Sequence, residues 1–217
     1  MSNAPSSPGS TTVPRRRNPR GQGARLRDEI IEAASALLAE SGDAKQLSLR
    51  GVAKQVGIVA TSVYPHFSDV EQLAAAVAER RFAEMFAAQN TAERGIVDPA
   101  EALLARCLAY CHFALAHPSH YQVMFQVDLT PVRVEDFTHL PGRQAFEALV
   151  RAIERCLEAG VARPHDDPFR LAVLVWAAEH GLVALRISRP RFPWPPLDEL
   201  VNEAVRYLVG LERAGDQ

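Results

Sequence analysis

The 217-residue sequence predicts an all-α fold of about nine helices, and three observations carry that prediction. Segment after segment repeats its apolar residues at three-and-four spacing, which places them on one face of a helix. No run shows the period-two alternation of a half-buried strand. The periodic segments break at Gly42, Gly57, Gly95, Pro118 and Gly160, residues that stop or reset helices.

The elements follow in chain order. Residues 1–24 are rich in Ser, Pro and Gly and then in Arg, with no apolar periodicity, and are expected to form a disordered basic arm. Arg15, Arg16, Arg17 and Arg20, followed by Arg25 and Arg27, give it charge. From Arg25 to Ser41, Leu26, Ile30, Ala33, Ala34, Leu37 and Leu38 define a first amphipathic helix, with Gly42 as its stop. Ser48 is placed to N-cap a second helix whose inner face is Leu49, Val52, Ala53 and Val56. Gly51 stands where a capping box would carry Glu or Gln. Gly57 breaks the run, and a third short helix is expected over 59–66. A long helix follows from about Asp69 to near Gln89, offering Leu73, Val77, Phe82 and Phe86 for packing.

Pro99 opens the next helix at its first turn, and Pro118 separates it from a short one over "SHYQVMFQ". "TPVRVEDFTHLP" reads as a loop, and "GRQAFEALVRAIERCLEAG" as another amphipathic helix. "DPFRLAVLVWAAEHGLVALRIS" is apolar around most of its circumference, which predicts burial on all sides. After the proline-rich "RPRFPWPP", the segment "LDELVNEAVRYLVGLERA" closes the chain as a last helix.

Composition bounds the function. The apolar fraction is 47%, the charged fraction 23% and the formal net charge −2, all ordinary for a globular protein. The distribution is not even: residues 1–67 hold nine Lys/Arg against five Asp/Glu, and the remainder is acidic. That asymmetry predicts a small basic contact module on an acidic body. Three cysteines suit a reducing cytosol better than a disulfide framework. The N-terminus has no apolar core of a secretory signal, and no stretch reaches about 18 consecutive apolar residues, so a cytoplasmic protein away from the membrane is expected.

The stretch "LSLRGVAKQVGIVATSVYPHF" carries the function. Two short helices joined by a glycine-bearing turn make a helix-turn-helix. Ala53 is small where the helices approach, Gly57 suits a positive φ, and Val52, Val56, Ile58 and Val63 supply a shared core. Val59, Ala60, Thr61, Ser62 and Tyr64 are left facing outward. A helix with side chains this small fits deep in a DNA major groove, where hydroxyls hydrogen-bond base edges and methyl groups meet thymine. A helical hairpin inside a bundle would use the same small residues for packing.

The order Ser48, Val52, Ala53, Gly57, Tyr64, His66 and Phe67, with "IIEAASALLAESG" before it and "EQLAAAVAERRF" after it, resembles the TetR family of bacterial transcriptional regulators over residues 25 to about 80. "VWAAEHGLVAL" resembles the Trp–His–Gly signature of one large C-terminal subclass, at Trp176, His180 and Gly181. The resemblance implies a helix-turn-helix domain over 25–70 and an effector-binding and dimerisation domain over 71–217. It implies a homodimer through the last two helices that binds a near-palindromic double-stranded operator and is released by a small molecule. It further implies that Ser48, Tyr64 and His66 contact phosphates, that Arg50 reaches a base or phosphate, and that Thr61 and Ser62 face bases, with Phe67 in the core. The sequence departs from the pattern twice: Val70 stands where a basic phosphate anchor is usual, and Pro65 lies between Tyr64 and His66. Arg20 and Arg25 in the arm could compensate from the minor groove.

Within the body, Phe113, Tyr121, Met124, Phe125, Phe146, Trp176 and His180 are the candidates for an interhelical pocket, each also able to serve as plain core. Cys107, Cys111, His112, His117 and His120 raise metal or thiol sensing, against which stands the burial common to free cysteines. No phosphate loop, nucleophile elbow or paired carboxylates point to an enzyme, and neither cofactor nor metal is expected. A dimerisation or adaptor protein with weakened DNA binding is the alternative that Val70 and Pro65 favour.

Overall fold

The computed structural model of the chain describes residues 23–41, 46–126, 141–163 and 167–211. The residues assigned to the basic arm up to 22, including Arg20, the Gly42 stop and the loop over 127–140 lie outside the described residues. Among the described residues there are eight α-helices and no strand: α1 (Gly23–Ser41), α2 (Leu49–Val56), α3 (Val70–Glu93), α4 (Pro99–Ala116), α5 (Pro118–Gln126), α6 (Arg143–Glu158), α7 (Pro168–Ser188) and α8 (Leu197–Val209).

The ninth expected helix, over 59–66, is replaced by a single 3-10 turn at Ala60–Ser62 followed by further turns. Pro65 accounts for the difference. It has no N–H to give the carbonyl of Thr61, and its ring crowds that carbonyl, so an α-helical ladder cannot pass through it. The last helix also ends sooner than the sequence suggested. Gly210 takes φ 70 and returns its N–H to Arg206, stopping α8 at Val209. A Cβ on Gly210 would sit 2.8 Å from Arg163, whose N–H bonds the Val209 carbonyl.

The starts of the long helices are set by carboxylates. Asp69, Asp98 and Asp167 each accept a backbone N–H from the first turn of α3, α4 and α7, and Pro99 and Pro168 follow two of them at the first helical position. Each cap fixes where its helix begins and therefore which face turns inward.

Two hydrophobic cores lie along α3. The first joins Ile30, Ile31, Ala34 and Leu38 of α1 with Val52 and Ala53 of α2, Val63, Phe67, and Leu73 and Val77 of α3. Val123 of α5 reaches into it from the body. The second gathers Met85, Leu103, Cys107, Tyr110, Leu149, Ile153, Val175, Val183, Val201 and Val205 from α3, α4, α6, α7 and α8. Ion pairs tie α1 to α3: the buried Arg81 bonds Glu32 at 2.6 Å and Glu84 at 2.9 Å, and Arg80 pairs with Asp28. Buried Arg106 of α4 is gripped by both oxygens of Glu93 at 2.8 Å and by Asn90 at 2.6 Å, stapling α4 to the end of α3.

α7 is not buried on all sides. Leu171, Ala172, Val175, Glu179 and Val183 face α4, α6 and α8, whereas Phe169, Val173, Leu174, Trp176 and Leu185 remain exposed. The helix lies at the edge of the bundle, so one chain covers only one of its faces. By length and composition alone α7 could cross a membrane, which qualifies the expectation drawn from consecutive apolar residues. Its packing against α4, α6 and α8 is that of a helix at the side of a bundle.

Candidate functional site

The N-terminal module is built outward from its turn. Ser48 adopts extended φ/ψ and its hydroxyl oxygen accepts the Gly51 N–H at 3.1 Å. A Cβ at Gly51 would stand 3.0 Å from that oxygen, so the residue that breaks the capping box also makes room for the cap. Ser48 keeps its O–H free to donate outward while its oxygen holds the helix. Arg50 is exposed in the first turn of α2, where the unsatisfied N–H groups and the helix dipole favour an anion. α2 ends at Gly57, with φ 77 and ψ 35, and the bonds Gly57 N–H to Lys54 and Ile58 N–H to Ala53 close a Schellman motif.

After this turn the chain divides its side chains sharply. Val63 and Phe67 are fully buried, and the Arg27 guanidinium covers the Phe67 ring at 5.0 Å. Val59 is 67% exposed and Tyr64 54%, with Thr61 exposed and Ala60, Ser62 and His66 half-buried. Arg25 is exposed on α1 and pairs with Glu29 at 3.1 Å. Ser48, Arg50, Val59, Ala60, Thr61, Ser62, Tyr64 and His66 thus all reach solvent at the same module. The start of α3 is acidic and, as the sequence indicated, carries no basic anchor: Val70 follows Asp69, which accepts the Ser68 hydroxyl at 2.6 Å and the Gln72 N–H at 2.7 Å. Those bonds hold the Asp69 carboxyl below the usual carboxylate range, so it is ionised and adds no attraction for phosphate.

The second feature is a cavity of about 380 Å³ between α3, α4, α5, α6 and α7. Of the residues expected at a pocket, Met124, Phe125, Phe146 and Trp176 line it. Tyr121 and His180 stand behind it and bond each other, hydroxyl to Nδ1, at 2.6 Å. Phe113 lies away from it, tilted against His117. The aromatic walls meet edge to face, Phe146 with Trp176 at 5.9 Å and with Phe169 at 5.3 Å, and Phe82 with Phe125 at 5.5 Å. At the rim, Gly142 (φ 83) lies against Phe82, whose ring would be 2.6 Å from any Cβ there.

Three polar side chains on the wall escaped sequence reasoning: Gln89, Tyr110 and Glu179. All are buried, and Gln89 Oε1, Glu179 Oε1 and the Tyr110 hydroxyl have no hydrogen-bond partner among the described residues. Burial pushes the Glu179 carboxyl up to about 8, opposed by the Cys107 thiol and the Arg106 charge. Burial also raises the Tyr110 phenol, and lowers His180. One signal was available for Glu179, a carboxylate within the apolar run "VLVWAAEHGLVAL"; nothing marked Gln89 or Tyr110, which come from other helices.

Cys107, Cys111 and Cys156 are all buried free thiols, and burial raises each above the ordinary thiol range, which disfavours the reactive thiolate. His112 bonds Asp198 at 2.8 Å, while His117 and His120 stack at 5.2 Å. Among the described residues no three His, Cys, Asp or Glu are grouped to hold a metal.

A helix-turn-helix module on an all-helical body with a central cavity is the architecture of a one-chain transcriptional regulator. Residues 103–208 match a family model described as the tetracyclin repressor-like C-terminal domain. The chain is 25% identical over 193 residues to an uncharacterized HTH-type transcriptional regulator of Mycobacterium tuberculosis, covering 86% of this chain and 82% of that one. A protein of unknown function from Rhodococcus sp. RHA1 superposes with TM-score 0.72 at 28% identity, covering 87% of this chain and 96% of that one. A TetR family transcription regulator from Marinobacter aquaeolei VT8 superposes with TM-score 0.70 over 89% of this chain and 100% of its own; at 19% identity it shows the fold alone. Together these likenesses support a transcriptional regulator whose residues 103–208 resemble a tetracyclin repressor-like C-terminal domain.

Proposed function

We propose that the chain is a ligand-responsive regulator, a cytoplasmic repressor that binds a near-palindromic operator as a homodimer and leaves it when a small molecule fills the body cavity. Residues 25–70 would form the DNA-binding domain and 71–217 the effector and dimerisation domain, the latter of the Trp–His–Gly subclass through Trp176, His180 and Gly181. The observation that carries the reading is the two-sided module. Val63 and Phe67 are buried, while Val59, Thr61 and Tyr64 stay outward beside a helix start that presents Ser48 and Arg50. Dimerisation through α7 and α8 is supported by the exposed Leu174, Leu185 and Tyr207.

Val123 and Tyr121 suggest how the two halves communicate. α5 places Val123 in the N-terminal core and Tyr121, Met124 and Phe125 in or behind the cavity wall. A ligand that shifts α5 would therefore move the module against the body. By linkage, DNA must then weaken the ligand by the factor that ligand weakens DNA.

A second reading, a dimerisation or adaptor protein with weak DNA binding, is favoured by one specific feature. The recognition segment is a 3-10 turn cut short by Pro65, and Asp69 with Val70 occupies the position of the basic anchor. Titrating the purified protein against DNA flanking its own gene, over a range of salt, separates the two. A fragment-specific complex whose affinity falls steeply on a log–log salt plot supports the regulator. Equal binding to random DNA supports the adaptor.

A further inference from the structure

We propose that the body cavity is a receptor for a lipophilic cation, a molecule with an aromatic or alkyl body whose protonated amine seats against Glu179 and Gln89. The proposal deepens the effector reading and rests on it. The walls are apolar and aromatic, with Phe82, Phe125, Phe146, Phe169 and Trp176 around the space. Such walls take a hydrophobic body, and their ring faces attract a cation. The buried polar atoms of the wall that lack partners decide the head group.

Glu179 Oε1 and Gln89 Oε1 are acceptors, and both are buried on this wall without a partner among the described residues. An unpaired buried polar atom is costly, and a buried carboxylate more so. An ammonium brings three donors and a positive charge to this wall, which answers an orphaned acceptor and a buried carboxylate alike. A carboxylate head would meet the Gln89 and Glu179 oxygens, and once Glu179 ionises it would be repelled by a like charge that the Tyr110 hydroxyl does not offset. Neither Arg106 nor Arg143 is hydrogen-bonded to Glu179: Arg106 grips Glu93 and Asn90 through Nε and Nη2 and acts on Glu179 through its charge alone, and Arg143 at the rim bonds Glu147 at 2.6 Å. A neutral hydroxyl could satisfy one acceptor but would gain no charge attraction when Glu179 ionises.

The titratable groups facing Glu179 are Arg106, Cys107, Tyr110 and Cys111 on α4 and Tyr121 on α5. Apart from Arg106 all are neutral near pH 7, and burial keeps the Glu179 carboxyl protonated up to about 8. A bound ammonium stabilises the carboxylate, so binding expels the Glu179 proton to solvent. Amine affinity must then rise with pH until the empty site has itself lost that proton.

The test is calorimetric titration of the full chain, without DNA, with three probes of one shape: phenylbutylamine, phenylbutanol and phenylbutanoate. At a pH near 8 the amine should bind about tenfold or more tightly than the alcohol, a difference of about 1.4 kcal/mol or more, and the carboxylate should not bind. In Glu179→Gln the amine should lose its advantage while the alcohol keeps its affinity. The wild-type protein gives an independent reading: amine affinity should climb from about pH 6 to about pH 8 while alcohol affinity stays level. Tighter binding of the carboxylate, an amine advantage that survives Glu179→Gln, a flat pH profile, or no binding by any probe would each overturn the proposal. None of these outcomes touches the operator reading, since no DNA is present, and a loss of DNA binding would leave the titrations unaffected.

Discussion

The two cores that share α3 are finished differently. The N-terminal core closes completely: Ile30, Val52, Val63, Phe67, Leu73 and Val77 are all at 1% exposure or less. The body core is as apolar, yet it borders a partly open space of about 380 Å³ whose lining includes Gln89, Tyr110 and Glu179, each with a buried polar atom that lacks a hydrogen-bond partner among the described residues. A module that must present a fixed surface to a rigid partner gains from a solid interior. On the proposed function, a body that admits a small molecule has to leave volume and polar contacts uncommitted, and it gives up stability to do so.

Mutations should separate the two by sign as well as size. The largest effect belongs to Phe67→Ala, which removes a buried ring from the solid core and the surface beneath the Arg27 guanidinium. It should cost about 3–5 kcal/mol in chemical denaturation. Next come paired enlargements. Ala34→Leu has no space to enter and should destabilise by about 1–3 kcal/mol. Ala145→Leu, on the cavity wall, should leave stability unchanged or raised while abolishing phenylbutylamine binding. Equal losses from both substitutions would erase the contrast.

The pH dependence of stability sharpens the same point. The Glu179 carboxyl sits near 8 in the folded chain, far above its ordinary 4.5, so the native state holds this proton more tightly than the unfolded one. Its stabilising contribution is therefore complete below about pH 4.5, declines as the pH rises towards 8, and changes no further above that. Wild-type melting temperature, measured against Glu179→Gln, should fall across this window, and parallel curves would show that burial does not perturb the carboxyl. Ser48→Ala should have the smallest effect on stability. It loses the bond to the Gly51 N–H and costs about 1 kcal/mol, read by thermal melting.

Much of the module was legible from sequence because its determinants are local. Ser48 capping α2, the turn at Gly57 and the burial of Val63 and Phe67 each depend on residues a few positions apart. The 3-10 turn was half legible: Pro65 visibly lacked a donor, but the helical pattern around it hid how far the break would extend. In the body, Met124, Phe125, Phe146 and Trp176 were named from sequence as aromatic and flexible side chains, and they line the cavity from three helices. The cavity's polar groups were not, because Gln89, Tyr110 and Glu179 are 21 and 69 residues apart along the chain and only packing brings them together. The exposure of one face of α7 was likewise invisible to periodicity, which reports how apolar a helix is and not which neighbours cover it.

The most direct test of the account compares Tyr64→Ala with the wild-type chain for affinity towards a DNA fragment from beside its own gene, with random DNA as reference. Tyr64 is 54% exposed on the outer side of the module and three residues from the buried Phe67. The account predicts a melting curve within about 0.5 kcal/mol of wild type, together with a clear loss of affinity for the specific fragment. Unchanged affinity in a folded Tyr64→Ala protein would mean that the outward face of the turn does not carry DNA, and the central claim would fail.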